Sequence, residues 1–337
     1  MKSVHLVIPD LFLPKEFAAE ICAGLSLPAL QKLLGRGHSE MLEPAALENI
    51  LCELFGVPGA ADAPIAPITA AFDGLAAGCW LRADPVNLNL QRDQLLLNAV
   101  QVGSEEAAAL CASLNAHFSG QGMGFFAPHP QRWYVRLDTL PQMRTMPLSQ
   151  VIGGDVRGAL PSGADAPGWH QLFNEIQMLL HAHPLNEARD ARGEPIINSL
   201  WFWGGGCGDE IVPLQKNYQI LSSEDLLTEM FANTADIPFS AWSKQWRVED
   251  WSGKQLLVWT GLRSALQRSD LAAWRTALED FESGYAQPIW QALRSGRIAQ
   301  LQLDILGVDG IRRVRLTRGD TWAFWRRPRS LADYSLV

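Results

Sequence analysis

Short apolar runs alternate with amphipathic segments along the chain, and this alternation predicts an α/β fold. Residues 4–8, 133–137 and 255–259 are apolar runs next to turn residues, which is typical of buried strands. Residues 105–117 and 271–285 carry apolar side chains at helical spacing. We expect one domain over residues 1–337, with a largely parallel central sheet and helices on both faces. A smaller α+β lobe could occupy residues 60–150.

The segment from 181 to 208 has the pattern of a pocket wall. A polar loop follows a helix, an apolar strand is expected over residues 196–203, and Gly204, Gly205 and Gly206 come next. Ligands bind outside the carboxyl ends of strands in open α/β sheets, and glycine lets backbone approach a ligand closely. The alternative is a helix-to-strand connection whose polar side chains satisfy their own backbone. The polar residues of the loop and strand are His183, Asn186, Arg189, Arg192 and Asn198.

Two further carboxylates are predicted at strand ends. Residues 79–97 are interpreted as strand, polar turn and strand, which places Arg82 and Asp84 at a strand end. Asp10 follows the first strand, where a turn or helix-cap role is the simpler interpretation. The sequence has none of the P-loop, G-x-G-x-x-G, G-x-S-x-G or H-E-x-x-H motifs. These motifs therefore identify no reaction class.

Charge is distributed unevenly. The 337-residue chain has a net charge of −8, which argues against a general nucleic-acid binder. Residues 312–329 contain seven arginines and one acidic residue, so this segment has a net charge of +6 and the rest of the chain one of −14. Arg313 and Arg315 alternate with apolar residues, and three aromatics follow at positions 322, 324 and 325.

We call residues 301–329 the C-terminal ribbon and predict that its part from Arg312 to Arg329 is a surface for a protein partner or a homodimer. Arginine and tryptophan dominate interface hot spots. The alternative is that the arginines pair with acids of the same chain while the aromatics close its core. DNA is the less favoured partner because the acidic body would repel it.

Cysteine usage predicts a reducing compartment. The five cysteines are scattered, odd in number and without a C-x-x-C pair, so neither a zinc site nor a disulfide framework is expected. We expect them to be small buried side chains. No signal peptide and no membrane-spanning run is evident. The prediction is a cytoplasmic protein that does not bind membranes.

The residues from His183 to Gly206, HPLNEARDARGEPIINSLWFWGGG, resemble a segment of archaeal-type cofactor-independent phosphoglycerate mutases. The family pattern is HPxNxxRxxxGxxxxNxxWxWGxG. Residues 27–30 with Gly35, and residues 79–84, resemble two further segments of these enzymes. The chain is most similar to a proteobacterial branch, the RpfE-type regulatory proteins. This resemblance implies an alkaline-phosphatase-like fold.

The resemblance also implies an active site with two divalent metals, such as Mn or Zn, and a serine nucleophile. Asp10 matches the first metal ligand as a vestige, but Leu11 replaces the glycine expected after it. The later ligands should include histidines, yet no histidine follows His183. Residues 45–52 contain no serine where the nucleophile is expected. We therefore predict a pseudoenzyme without metal cofactors.

Three hypotheses follow. The first is a catalytically inactive, mutase-like protein with a regulatory or binding role. It keeps a pocket for a small phosphorylated or carboxylate ligand around Asn186, Arg189, Arg192 and Asn198, walled by Trp201 or Trp203. Arg82, Asp84, His183, Gly204 and Gly205 complete the candidate binding set. The second is an active phosphatase or phosphomutase that uses Asp10, Asp84, His183, Asp209 and Glu210. The third is an interaction protein that acts through its C-terminal ribbon.

Overall fold

The computed structural model describes residues 2–57, 62–208, 213–248 and 251–335. The chain divides into two compact units, the first formed by Met1–Ile50 with Gln215–Val337 and the second by Leu51–Leu214. The small lobe predicted at 60–150 lies inside the second unit, which continues to Leu214. Over the described ranges, no helix combines the length and the apolar character needed to cross a bilayer.

The strands are β1 (Ser3–Pro9), β2 (His38–Leu42), β3 (Cys79–Gln91), β4 (Gln94–Ala99), β5 (Met123–His129), β6 (Arg132–Leu137), β7 (Met143–Arg144), β8 (Ser162–Gly163), β9 (Ser199–Cys207), β10 (Ile220–Ser223), β11 (Phe239–Ala241), β12 (Lys254–Val258), β13 (Gln300–Gly307) and β14 (Gly310–Thr317). The α-helices are α1 (Lys15–Ile21), α2 (Pro28–Arg36), α3 (Leu47–Leu54), α4 (Ile65–Phe72), α5 (Ser104–His117), α6 (Leu148–Val151), α7 (Ala166–His181), α8 (Pro184–Ala191), α9 (Leu226–Thr234), α10 (Arg263–Gln267), α11 (Leu271–Phe281) and α12 (Gln287–Ser295).

The first unit contains a seven-stranded sheet in the order β11-β10-β12-β1-β13-β14-β2. The first five strands are parallel, whereas β14 and β2 pair antiparallel at one edge. β1 is central, and its Leu6 lies between Leu257 of β12 and Leu303 of β13. The mixed α/β class with a largely parallel central sheet is therefore confirmed.

One face of this sheet packs against helices whose apolar stripes the sequence predicted. Val4, Leu6 and Ile8 of β1 share a core cluster with Trp274 and Leu278 of α11. A π-helical turn at Glu282–Ala286 joins α11 to α12. The buried Glu282 carboxylate accepts hydrogen bonds from the backbone N–H groups of Ala29 (2.7 Å) and Leu30 (2.9 Å). These are free donors at the start of α2, so the turn fixes one helix against another.

The second unit contains an antiparallel sheet built around β3, which corrects the interpretation of residues 79–97. β3 runs unbroken from Cys79 to Gln91 and pairs with β4, β6 and β9. Arg82 and Asp84 therefore lie within a strand and not at its end. Charged residues are rarely buried unless paired, and this pattern favoured a turn. Here the two side chains compensate each other inside the sheet.

The glycine run also lies within a strand. β9 extends from Ser199 to Cys207, so Gly204, Gly205 and Gly206 do not form a loop after it. A Cβ atom on Gly206 would lie 2.7 Å from Cβ of Pro64, and one on Gly205 would lie 2.7 Å from Cδ2 of Leu81. The glycines are needed because neighbouring chain approaches β9 this closely.

The prediction that all cysteines are free thiols is wrong for two of them. Cys79 and Cys207 form a disulfide across the β3–β9 pair, joining residues 128 positions apart. Scattered spacing gave no signal of this, because the two cysteines meet only once β3 and β9 pair. Cys22, Cys52 and Cys111 take no part in this disulfide. Burial raises the pKa of the Cys111 thiol to about 12, so this side chain is an inert core residue.

Candidate functional site at the carboxyl ends of the parallel strands

Three adjacent strands of the first unit end at the same edge of its sheet. Asp10 follows β1, Thr260 follows β12, and Glu224 follows β10. The register aligns Val7, Val258 and Ser223 across these strands, and neighbouring strands lie about 4.8 Å apart. The three side chains therefore stand on neighbouring loops, in the place where ligands bind in open α/β sheets.

Asp10 has an unusual backbone conformation and a cationic partner. Its φ is 62°, in the left-handed region that few non-glycine residues adopt. Nε of Arg263 lies 3.1 Å from the Asp10 carboxylate. The sequence singled out Asp10 but not Arg263, which is 253 positions away. This ion pair gives the carboxylate a positive partner from within the chain.

The second acid at this edge is Glu224. Burial raises the pKa of its carboxyl, the backbone and side chain of Thr260 lower it by hydrogen bonding, and the neighbouring charge of Asp225 raises it again. Asp225 itself caps α9 by accepting hydrogen bonds from the N–H and hydroxyl of Thr228, both at 2.9 Å. The net result is a raised pKa for the Glu224 carboxyl. The Asp225 carboxylate, in contrast, is occupied as the N-cap of α9.

Aromatic rings fill the space beside these strand ends. Trp259 follows β12 and stacks on Phe281 at 4.2 Å between ring centroids. Trp242 stacks on Tyr285 at 4.0 Å and lies 6.3 Å from Trp259. Trp259 is buried. An apolar wall of this kind offers no ligand to a hard cation.

These residues do not fit the two metals that the resemblance implies. Within the described part of the chain, no three His, Cys, Asp or Glu side chains come together as a potential metal site. Two divalent ions need several convergent carboxylates and imidazoles. Asp10 is paired with Arg263, and Asp225 caps a helix. Asp209 and Glu210, which the second hypothesis requires, lie outside the described residues.

Arg82, Asp84 and Trp203 come together in the second unit. Nη2 of Arg82 lies 2.5 Å from Asp84, and Nε1 of Trp203 donates to the same carboxylate at 2.8 Å. The guanidinium of Arg82 is 5.2 Å from the ring centroid of Tyr134 and 5.3 Å from that of Trp203. All four side chains are buried. The ion pair and the two rings therefore compensate the buried charge of Arg82, while its Nε has no hydrogen-bond partner among the described residues.

Sequence reasoning missed a neighbouring carboxylate, Asp73. It accepts two hydrogen bonds from Arg132, at 2.9 and 2.6 Å, and one from the hydroxyl of Tyr134 at 2.6 Å. Burial raises the pKa of Asp73, but these hydrogen bonds outweigh it and leave the pKa below its ordinary value. Because Asp73 lies 59 positions from Arg132, only the folded sheet brings them together.

The polar residues of the 183–198 segment bind their own chain. His183 caps α8 by accepting from the N–H of Leu185 at 3.2 Å. The amide of Asn186 donates to the carbonyls of Leu180 and Ile197 and accepts from the N–H of Ile197. Asn198 exchanges two hydrogen bonds with the backbone of Leu88. These side chains fasten helix, loop and strand together.

Arg189 is the most strongly bound of this group. Its side chain is 3% exposed. Nη1 donates to Glu106 at 2.7 Å, Nη2 to the carbonyl of Gln101 at 2.9 Å, and Nε to the carbonyl of Pro195 at 2.9 Å. Arg192 is partly exposed and pairs with Glu194. Most of the predicted polar loop is therefore helix α8, and this geometry favours the alternative in which the segment's polar side chains bind their own chain.

Gly205 borders a cavity of the second unit. This cavity of about 700 Å³ is also lined by Asp62, Arg144 and Thr145. Asp62 accepts hydrogen bonds from the N–H (2.5 Å) and hydroxyl (2.7 Å) of Thr145, while burial raises the pKa of its carboxyl. Gly204, with φ of 67°, donates to the Thr145 hydroxyl at 3.3 Å.

The candidate residues thus form separate groups. Arg82, Asp84 and Trp203 make one buried cluster, and Arg189 and Arg192 share Glu106 in another. Among the described hydrogen bonds and ion pairs, these two clusters have no partner in common. Asp10 belongs to the first unit. The predicted binding residues therefore do not converge on one pocket but belong to several separate clusters.

Comparison with known proteins supports the expected relationship. The chain is 27% identical over 170 residues to the 2,3-bisphosphoglycerate-independent phosphoglycerate mutase of Methanosarcina mazei, covering 48% of this chain and 43% of that enzyme. It is 27% identical over 126 residues to mutase 2 of Methanothermobacter thermautotrophicus, covering 36% and 31%. The chain is mutase-like at low identity. It matches less than half the length of these relatives, and no family model matches it.

A solved structure shares the fold. The PH0037 protein from Pyrococcus horikoshii has a TM-score of 0.54 at 14% identity, with 98% of this chain and 92% of that chain covered. The cofactor-independent phosphoglycerate mutase from Thermoplasma acidophilum has a TM-score of 0.49 at 15% identity, with 95% and 90% covered. At this identity the Pyrococcus match shows the architecture alone.

Proposed function

We propose that this mutase-like protein does not catalyse metal-dependent phosphoryl transfer and acts by binding, in a regulatory role like that of the RpfE-type branch it resembles. The observation that carries the proposal is the ion pair between Asp10 and Arg263 at 3.1 Å. Asp10 is the position that matches the first metal ligand of the family. A guanidinium there supplies the positive charge that a cation would otherwise supply.

The surroundings of this ion pair support the same proposal. A second cation beside Arg263 would be repelled by its fixed charge. Trp259 and Trp242 take up space next to the strand ends, and tryptophan is not a ligand for hard cations. Losing several metal ligands together changes the chemistry of a site and does not merely tune it. The small phosphorylated or carboxylate ligand predicted from the sequence stays a prediction.

The test is metal content and turnover of the full chain. The protein is incubated with Mn²⁺ and Zn²⁺, desalted, analysed for metal, and assayed for interconversion of 2- and 3-phosphoglycerate beside the Methanosarcina enzyme. We expect no stoichiometric metal and no turnover. Two metals per chain, with turnover abolished by Asp10→Asn but not by Asp270→Asn, would establish the active phosphomutase alternative instead. Asp270 is the control because it only caps α11.

A second measurement examines the ion pair directly. Arg263→Gln removes the cation and leaves Asp10 available to metal. If the guanidinium replaces a cation, this variant should bind Mn²⁺ more tightly than the unaltered chain, measured by calorimetry. Arg268→Gln, an exposed arginine just after α10, is the matched control and should change nothing. Equal Mn²⁺ affinity of all three proteins would contradict the proposed role of Arg263.

A further inference from the structure

A cluster of cations and exposed aromatic rings lies on the first unit, beside α2 and α12. Trp322, Phe324 and Trp325 are 59%, 78% and 69% exposed. The part of the sequence alternative in which these aromatics close the core is therefore wrong. Its other part, pairing within the chain, is confirmed for three ribbon arginines, because Arg313 pairs with Asp304, Arg315 with Glu40 and Arg326 with Asp320. A small cavity of about 240 Å³ borders Trp322 and Phe324 and is also lined by Lys32, Arg36 and Arg294. We call Lys32, Arg36, Arg294, Trp322, Phe324 and Trp325 the arginine–aromatic surface.

The cations of this surface have ring partners but no acidic ones. The guanidinium of Arg36 lies 5.3 Å from the ring centroid of Trp290, and that of Arg294 lies 5.8 Å from that of Trp322. Within the described residues, none of Lys32, Arg36 and Arg294 forms an ion pair with a carboxylate. Nε of Arg36 is buried and also lacks a hydrogen-bond partner there. Their positive charge is therefore not neutralised within the described chain.

The backbone that carries the aromatics is fixed in place. Nη1 of Arg36 donates to the carbonyl of Thr321 at 2.6 Å, and Nη1 of Arg326 donates to the carbonyl of Arg36 at 2.8 Å. Asp320 accepts from the N–H and hydroxyl of Thr317 at 2.8 and 2.9 Å. Exposed rings on an ordered backbone lose little entropy when they are covered. Such a patch is typical of a binding surface.

We propose that the arginine–aromatic surface binds an acidic, extended segment of another protein, with one carboxylate side chain seated in the cavity. Guanidinium groups bind carboxylates bidentately, and tryptophan and arginine are the residues enriched in interface hot spots. A volume of about 240 Å³ is below the roughly 300–1,000 Å³ of small-molecule sites. The cavity therefore suits one side chain better than a free ligand.

Other occupants fit less well. A symmetric dimer through this surface would place its uncompensated cations against themselves. Single-stranded nucleic acid could also stack on the rings, but its phosphates continue beyond the surface. The net charge of −14 outside residues 312–329 therefore disfavours a long polyphosphate more than a short acidic segment. The surface shares no residue with the site at Asp10 and Arg263. The proposal therefore does not depend on the loss of phosphoryl transfer.

The test uses the full chain and a fluorescently labelled oligoglutamate peptide that contains one phenylalanine. Anisotropy should show saturable binding that weakens with salt. Arg294→Ser should lower the affinity about tenfold, as expected for a hot-spot residue. Arg268→Ser removes one charge from an exposed arginine of the same unit and should change the affinity less than about twofold.

A second pair of variants separates ring contact from charge. Trp322→Ala should weaken binding about tenfold, whereas Phe17→Ala, which removes another exposed ring (57%), should not. All four substituted side chains, at positions 294, 268, 322 and 17, are exposed. Each variant should therefore keep the melting temperature of the unaltered chain, which verifies that it is folded. Absence of saturable binding, or equal losses from Arg294→Ser and Arg268→Ser, would overturn the proposal. Tighter binding of oligothymidylate than of the peptide would overturn it in favour of single-stranded nucleic acid. A dimer that Arg294→Ser dissociates would overturn it in favour of a second copy of this chain.

Discussion

Arginines occur in two contrasting environments in this molecule. Arg189, in the segment most like the mutases, is buried and donates to Glu106 and two backbone carbonyls. Arg36, at the end of α2, and Arg294, in α12, border a cavity and contact rings without an acidic partner among the described residues. The segment most like the mutases and the proposed binding surface thus lie in different places.

This contrast separates what a motif preserves from what a surface offers. Asn186, Arg189 and Asn198 each bind backbone groups of adjoining segments, so they specify how helix, loop and strand join. A residue with this role is constrained by folding whether or not the chain catalyses anything. A cation without an acid of its own keeps its charge for a partner.

The largest predicted effect comes from removing Arg189. Arg189→Met removes the buried cation that shares Glu106 with Arg192 and leaves the carbonyls of Gln101 and Pro195 without this donor. The free energy of unfolding should therefore fall by about 4 kcal/mol. Arg294→Met should change it by less than about 1 kcal/mol because that side chain is exposed. Urea denaturation measures both. Similar losses for the two variants would remove the contrast between the regions.

The disulfide should produce the next largest effect. It closes a long loop that contains the 183–198 segment, so its reduction should lower the free energy of unfolding by about 3 kcal/mol. Urea denaturation with and without dithiothreitol measures the loss, and a Cys79→Ser, Cys207→Ser double variant should not respond to the reductant. Unfolded, unreduced protein should show three thiols. Five thiols would contradict the pairing.

Glycine substitutions should have smaller effects of opposite sign. Gly206→Ala would place a Cβ 2.7 Å from Pro64 and 3.0 Å from Pro67, and should destabilise the protein by about 2 kcal/mol. Gly168→Ala in α7 meets nothing within 4 Å and should stabilise it by about 0.5–1 kcal/mol. Thermal unfolding compares the two. A neutral Gly206→Ala would mean that β9 does not need glycine for packing.

Local patterns predicted the secondary structure well where one face is apolar. The helix predicted at 105–117 is Ser104–His117, and the strand predicted at 133–137 is Arg132–Leu137. Gly296 ends α12 in the left-handed conformation, as expected for a helix stop. These features depend on interactions between residues a few positions apart. A pattern along the sequence therefore contains the information that predicts them.

Contacts between distant segments could not be predicted in the same way. Arg263 reaches Asp10 across 253 positions, and Cys207 reaches Cys79 across 128. The Arg82–Asp84 pair suggested a turn because charge is costly to bury, yet Trp203 and Tyr134 arrive from other strands to compensate it. Partners of this kind exist only after strand pairing. Of the residues at the carboxyl ends of the parallel strands, the sequence therefore predicted Asp10 but not its partner Arg263.

The smallest predicted effect concerns acid stability and the buried hydrogen bond between Tyr134 and Asp73. Because the pKa of Asp73 is lowered on folding, its ionised form stabilises the protein above its ordinary pKa of about 4, and this stabilisation is lost as pH falls further. Tyr134→Phe should cost about 1 kcal/mol at neutral pH, and the difference should narrow below pH 4. Tyr285→Phe, which breaks a bond to the Ser243 carbonyl, should cost the same at both pH values. Parallel pH profiles for the two variants, measured by urea denaturation, would show that Tyr134 does not act through the Asp73 carboxylate.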